Sequence, residues 1–438
     1  MELEPVSLLK KLVRIDTTNP PGNEKHLLDV LREILEQNEI ECVFQETAPG
    51  RGNLLAWLPA EDGRWADAPE CGQPPLVLLS HVDVVGAQPE QWMFPPFEAR
   101  EEDGYIYGRG TVDTKQLTVM ELSAFLDLKA SGMVRKRDVY FLATSDEESG
   151  SAWGLSWLLE HEITLGGRTF PGKELFRGSD VISEGGGFPI LAGGREYYLC
   201  ESGQKGCGIV EFTVQARKAK GVFFGSGDGM ERAMALVQDI GNRTLAGRTL
   251  DTVKVFESSL AGAKLSPMMK KILTAMKTNS MTVTMIEGKN VNEVRVICDV
   301  RLLPGFGREY LEKELDEISG KWDCSWKILS LGEGYESSPE GGFLKLLEEA
   351  TLEALQKTKE EAQILPFVSM GSSDGHFLAG LGARVYGYSP VHAWDMTFDT
   401  AVSMVHGVNE RIHRDSVLLG CRVLTLAVRR AAGEERQK

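Results

Sequence analysis

The stretch "PPLVLLSHVDVVG", residues 74–86, runs from four consecutive apolar residues, Leu76 to Leu79, straight into Ser80, His81 and Asp83. A short apolar run bounded by prolines and a glycine reads as a strand buried on both faces, as in a parallel sheet. Uncompensated polar groups at the end of such a strand are costly. His81 and Asp83 therefore need partners that favour their position. In α/β sheets, sites are built at the carboxyl ends of the strands, and that rule organises the rest of the reading.

Working outward, the arrangement recurs. "DVYFLATS" (138–145) is a second short apolar strand, and Asp146, Glu147 and Glu148 follow it; "NLLAWLPA" (53–60) reads as a third. Helical patterns with apolar residues at i, i+3 and i+4 occupy 8–15 and 25–38, and 118–132 reads as a further helix. Strands alternating with helices up to about Cys200 predict an α/β sheet covered by helices on both faces. The pattern then changes. "CGIVEFTVQARKA" (207–219) and "VNEVRVICDVRLLPG" (291–305) are longer strands with β-branched residues, separated by helical segments at 229–242 and 267–278. This part reads as a smaller α+β domain inserted into the first. After a helix at 342–358 the α/β pattern resumes with "ILPFVSM", "ARVYGYSP" and a last helix at 415–432. The expected division is a main domain in two parts, 1–198 and 312–438, around an inserted domain at 199–311.

The 438-residue chain is 42% hydrophobic and 26% charged, the balance of a soluble globular protein. It has no apolar run of about 18 residues that could span a membrane. A formal net charge of -16 argues against nucleic acid and anionic membrane as partners. The seven cysteines are scattered, never in CxxC spacing, and read as reduced thiols. The N-terminus lacks the pattern of a secretory signal, so the expected location is the cytoplasm.

Several acids and histidines fall in loops after strands: His81 and Asp83, Asp113 in "YGRGTVDTK", Glu147 and Glu148 in "TSDEESG", Glu184 in "VISEGGG" and His406 in "VHGVNERI". Two imidazoles with several carboxylates are the ligand set expected for zinc or a similar divalent ion. Asp83, two residues from His81, can orient the ring, because ligating histidines donate their other N–H to an acid or a carbonyl. Glu147 and Glu148 point different ways from the backbone. One can bind metal while the other stays free as a general base.

In order along the chain, "IDTTNPPGNE", "SHVDVV", "W-x-FPPFEA", "DGYIYGRGTVDTK", "DEESG", "ISEGGG", "DVRLLPG" and "HGVNERI" resemble the zinc-dependent exopeptidase and deacylase family that includes aminoacylase, acetylornithine deacetylase, succinyl-diaminopimelate desuccinylase and glutamate carboxypeptidase. The resemblance implies a mixed-sheet dinuclear-zinc exopeptidase domain with an inserted ferredoxin-like lid, usually the dimer interface. It implies that Asp113 bridges two divalent ions, zinc or else cobalt or manganese. His81 and Glu184 then complete one shell, and Glu148 and His406 the other. Asp83 orients His81, and Glu147 is the general base. The implied reaction is hydrolysis of an amide bond beside a free carboxylate, in a small N-acyl amino acid or peptide. The form "ISEGGG" resembles the aminoacylase branch more than the tripeptidase branch.

The chain also departs from that family. Its lid usually offers a histidine to the tetrahedral oxyanion, but Val222 aligns there and no histidine lies between His161 and His376. Losing such a donor typically costs ~10²–10³ in turnover. The alternative function is therefore a metal-loaded binding protein or weakly active homologue. Asn290 matches a substrate-side asparagine in a shortened turn. In "MGSSDGHFL", His376 stands where many relatives carry a carboxylate-gripping arginine, with Ser373 beside it. A rival from another class is the G-x-S-x-G pattern of "GSSDG" (371–375), with Ser373 as nucleophile and Asp395 or Asp399 and His406 as partners. That reading leaves the upstream acids unexplained.

Overall fold

The computed structural model describes residues 4–61, 73–216, 228–290 and 293–433, without the side chains of residues 289 and 290. Its centre is a ten-stranded mixed sheet. Four neighbouring strands at its heart run parallel: Val139–Thr144, Leu76–His81, Asp180–Ser183 and Arg384–Gly387. The register sets His81 beside Thr144, and Ser183 beside Gly387, so these carboxyl ends share one edge.

The continuous apolar run is explained by burial on two sides. Leu76 and Leu78 join one core cluster, while Val77 and Leu79 join a second on the opposite face. The same alternation splits Val139 and Phe141 from Tyr140 and Leu142, as side-chain period two requires. The first face is covered by helices Pro5–Val13, Lys25–Gln37, Lys115–Ser131, Gly342–Leu355 and Arg414–Ala432. Shorter helices, Leu155–Glu160, Gly172–Phe176 and Gly375–Ala379, cover the second. An α/β sheet with helices on both faces is what the sequence predicts.

A separate four-stranded antiparallel sheet takes the order Ser280–Asn290, Glu293–Leu302, Gly206–Gln215, Ser325–Leu331. With helix Gly229–Asn242 after the first strand and helix Arg308–Trp322 after the third, the unit runs β-α-β-β-α-β, the ferredoxin-like connection. Alternate residues of Glu293–Leu302 are buried, and these helices supply its own core cluster. Most of its second helix and all of its fourth strand lie beyond the expected boundary at 311. Conversely, helices Asp251–Ser259 and Pro267–Ala275, inside 199–311, place Val253, Phe256 and Met269 in the main core. Periodicity marks a helix but not the sheet that the helix packs against. Among the described residues, no helix is long and apolar enough to cross a membrane.

Candidate metal centre

Strand ends and two further loops deliver a cage. His81, Glu147, Glu148 and Glu184 stand at the ends of central strands. Asp113 instead precedes helix Lys115–Ser131, and His406, expected after a strand, follows helix Phe398–Met404. His81 ends its strand with its side chain 1% exposed. Its Nε2 lies 3.2 Å from Asp113 Oδ1 and 3.3 Å from Glu184 Oε2. His406 Nε2 lies 3.2 Å from Asp113 Oδ2 and 3.1 Å from Glu148 Oε2. Asp113 thus turns one oxygen to each imidazole. The Glu147 carboxylate has an oxygen within 4.8 Å of ligand atoms of both His81 and Glu184. His81, Asp113, Glu147, Glu148, Glu184 and His406 are therefore brought together.

Local structure explains how. Asp83 Oδ1 accepts the backbone N–H of Glu147 and its Oδ2 that of Glu148, each at 3.1 Å. Oδ2 also accepts from Asn19 Nδ2 at 2.8 Å. His81 Nδ1 lies nearer the Asp83 carbonyl (3.0 Å) than its carboxylate (3.4 Å), so Asp83's carboxylate fixes the Glu147–Glu148 turn more closely than it does the ring. On the far side of that turn, Asp374 accepts from Thr144 Oγ1 at 2.8 Å and from Ser151 Oγ. The loop bearing Asp113 is held by buried Glu410, whose oxygens accept the N–H groups of Gly110, Val112 and Asp113 and an Arg109 guanidinium N–H at 2.6–3.0 Å. Asn19, Glu410 and Asp374 stand in motifs already quoted, yet their roles emerge only from these bonds.

Electrostatics in the cage are dominated by crowded carboxylates. Burial pushes Glu147 well above the usual carboxylate range, and nearby Glu184 adds to the rise. Burial also raises Glu184, to about 7, against the opposing pull of His81. Hydrogen bonds to Asp113 and Glu148 raise His406 to about 10. Burial disfavours charge on His81, but Glu184 and hydrogen bonds to Asp113 and Asp83 outweigh it and raise its pKa. Burial opposes ionisation of Asp113 too, yet His406 and His81 hold its carboxyl far below its ordinary value.

This donor set fits divalent cations. Glu148 Oε1 is buried with no hydrogen-bond partner among the described residues. The surrounding carboxylates repel one another until positive charge is supplied. Imidazole nitrogen with carboxylate oxygen is a donor set that accommodates zinc, cobalt or manganese.

A cavity of about 900 Å³ opens beside the cage, lined by Asp113, Glu147, Glu148, Glu184 and His406. Ser373 and His376 line it as well. Ser373 Oγ accepts from Gln204 Nε2 at 3.0 Å, and His376 Nδ1 lies 2.7 Å from the Ser373 carbonyl. His406 is engaged with Asp113 and Glu148, and Asp395 Oδ2 accepts the backbone N–H of His413. His406, the base that a serine triad would need, is thus committed to the cage. Asn290 ends its strand, and its side chain lies outside the described residues, as does Val222. Arg301, in "DVRLLPG", joins the site without having been singled out in the sequence. Its guanidinium lines the cavity, donates to both oxygens of Asp299 at 2.8 and 2.9 Å, and donates to the Met370 carbonyl at 3.1 Å.

A doubly covered α/β sheet whose strand ends, joined by the loops bearing Asp113 and His406, gather two imidazoles and four carboxylates defines an α/β protein with a dinuclear-type metal cage. Comparison with known proteins makes this specific. The chain matches the model of peptidase family M20/M25/M40 over residues 77–430 and belongs to that family. It is 32% identical to a probable succinyl-diaminopimelate desuccinylase of Staphylococcus epidermidis over 149 residues, 34% of this chain; the match spans only about a third (34%) of that relative's length. It is 24% identical to the N-fatty-acyl-amino acid synthase/hydrolase PM20D1 of Xenopus tropicalis over 376 residues, 79% of this chain and 70% of that one. The solved M20 family metallo-carboxypeptidase of Sulfolobus solfataricus shares the fold, with TM-score 0.70 at 18% identity over 98% of this chain and 99% of the other.

Proposed function

We propose that the chain is a dinuclear metal-dependent amidohydrolase cleaving an amide bond beside a free carboxylate, in an N-acyl amino acid or a small peptide. The observation that carries this reading is Asp113, whose two oxygens face one imidazole each. We assign His81 and Glu184 to one donor set and Glu148 and His406 to the other, with Asp113 joining them. Zinc is the proposed metal, with cobalt or manganese as substitutes. When bound, the ions supply Lewis acidity toward the amide carbonyl and acidify the attacking water.

The residues do the rest. Glu147 accepts a proton from the water as its oxygen bonds to the carbonyl carbon, then delivers that proton to the amide nitrogen as the C–N bond breaks. Asp83 fixes the turn that presents Glu147. Arg301, held by Asp299 through its Nε and Nη2, turns its remaining Nη N–H groups to the substrate carboxylate. The ferredoxin-like unit is proposed as a lid over the cavity and the site of a homodimer, in a cytoplasmic protein.

A second reading is favoured by the absence of any histidine between His161 and His376, which leaves the lid no imidazole for the oxyanion. In that case the chain binds metal and an acylated amino acid with little turnover. The deciding experiment is hydrolysis of N-acyl amino acids and dipeptides by zinc-, cobalt- or manganese-loaded protein, with a chelated control. Metal-dependent release of free amino acid is expected. Silence across the panel with two ions bound per chain supports the binding protein.

A further inference from the structure

The cavity of about 900 Å³ lies near the top of the ~300–1,000 Å³ range of small-molecule sites, more room than an acetylated amino acid occupies. Its walls differ in character. One part carries polar Arg301, Gln204, Ser373 and His376, set among Ile209, Met370 and Phe377. The other is apolar and built by two helices: Met268 and Ile272 on Pro267–Ala275, and Phe398 and Val402 on Phe398–Met404, continued by Val405. Both helices are anchored in the main core, through Met269 on one and Ala401 and Met404 on the other. Phe398 packs edge-to-face on Phe367, with ring centroids 5.8 Å apart. This wall is therefore built on the core rather than on a free loop. Val402 and Val405 are nevertheless 44% and 37% exposed, and Val405 directly precedes His406 of the cage. Apolar side chains left open along a concave surface mark a ligand surface.

We infer that this wall receives the acyl half of the substrate, and that the acyl group is bulky and apolar, a medium- or long-chain aliphatic acyl rather than acetyl or succinyl. The inference rests on the amidohydrolase reading. The two halves of an N-acyl amino acid leave the scissile amide in opposite directions. The amino-acid half carries the anion, and among the described lining residues Arg301 supplies the guanidinium, beside Ser373 and His376. A charged acyl group would lie against Met268, Ile272 and Val402 without a counter-ion among the described lining residues on those two helices.

The test follows one amino acid carrying acetyl, butanoyl, hexanoyl, octanoyl and dodecanoyl groups. Metal-loaded full-length protein is assayed for kcat/KM, and metal-free protein for affinity by calorimetry. Both are expected to rise two- to fourfold per methylene through at least octanoyl. Val402→Asp, at an exposed position, flattens that dependence, and Met268→Asp on the other helix does the same, which guards against a folding defect in either variant. If acetyl and short peptides are cleaved as well as octanoyl, the acyl wall is overturned while the amidohydrolase stands. If nothing is turned over but affinity climbs with length and Val402→Asp flattens it, the hydrolase fails and the wall stands. Affinity and rate both independent of chain length overturn the inference.

Discussion

Asp83 and Glu410 do comparable work from opposite ends of the chain: each is a fully buried carboxylate that accepts backbone N–H groups of a loop bearing cage residues. Neither faces the cavity. Glu147, in contrast, is the carboxylate assigned to proton transfer. In Glu147→Gln an amide fills the same space but cannot take the proton, so kcat should fall by about 10²–10⁴ while metal content stays at the wild-type level. Elemental analysis beside steady-state kinetics checks this, and retained turnover removes Glu147 as the base. Glu410→Ala makes a different prediction. It leaves Arg109, 3% exposed, without its carboxylate and three loop N–H groups without an acceptor. Removing one partner of a buried ion pair costs about 3–5 kcal/mol, so the denaturation midpoint should drop sharply with or without metal. A midpoint within error of wild type would show that the loop holds itself. The ligand types and loops were legible because metal chemistry restricts them to a few residue kinds. The supporting acids were not, since nothing in a glutamate's own sequence neighbourhood says which distant N–H it accepts.

At the scale of elements, helix Lys115–Ser131 shows the limit of pattern reading. Its surroundings bury both faces, so polar Gln116, Thr118 and Glu121 are as enclosed as Leu117 and Phe125. Amphipathic spacing carries little information there, whereas the alternating burial of Glu293–Leu302 reports a sheet covered on one side. The strands of the central sheet were readable for the opposite reason: burial on two faces leaves an unbroken apolar run. The main misjudged extent, the inserted unit, came from a helix and strand whose sheet membership depends on contacts far along the chain. The enclosed helix also makes a pH prediction. Burial pushes the Glu121 carboxyl well above its ordinary 4.5. As pH rises above 4.5, the unfolded chain releases this proton while the folded chain keeps it. Glu121 therefore contributes stability that is present below pH 4.5 and lost as pH climbs to the folded value, at no more than about 1.4 kcal/mol per pH unit. Glu121→Gln cannot titrate. Urea melts of metal-free protein at pH 5 and pH 8 should show a smaller loss for the variant than for wild type, and equal losses would mean that Glu121 ionises freely in the fold.

Across the whole molecule, the cage draws its members from both sides of the ferredoxin-like unit. His81, Asp113, Glu148 and Glu184 precede it in sequence, and His406 follows it. Ions held there join two distant chain segments in one fold. A ligand that binds only the folded state stabilises it by RT ln(1 + [L]/Kd), about 2.7 kcal/mol per site at a hundredfold excess over Kd. The crowding of Glu147 and Glu184, whose carboxyls are raised by burial and by like charge nearby, adds to the gain, because cations relieve a repulsion that the metal-free chain bears. Chelation should therefore lower the unfolding temperature, and zinc should restore it. His406→Ala removes a half-exposed imidazole that pairs with Asp113 and Glu148, so the metal-free protein should melt somewhat below wild type, and each protein's zinc response is read from its own metal-free baseline. With one donor set broken, the variant's zinc-induced rise should be clearly smaller than the wild-type rise, while the His81 and Glu184 set still responds. Scanning calorimetry of both proteins with and without zinc decides the matter. A full wild-type rise in His406→Ala would take His406 out of the cage, and with it the bridging geometry assigned to Asp113.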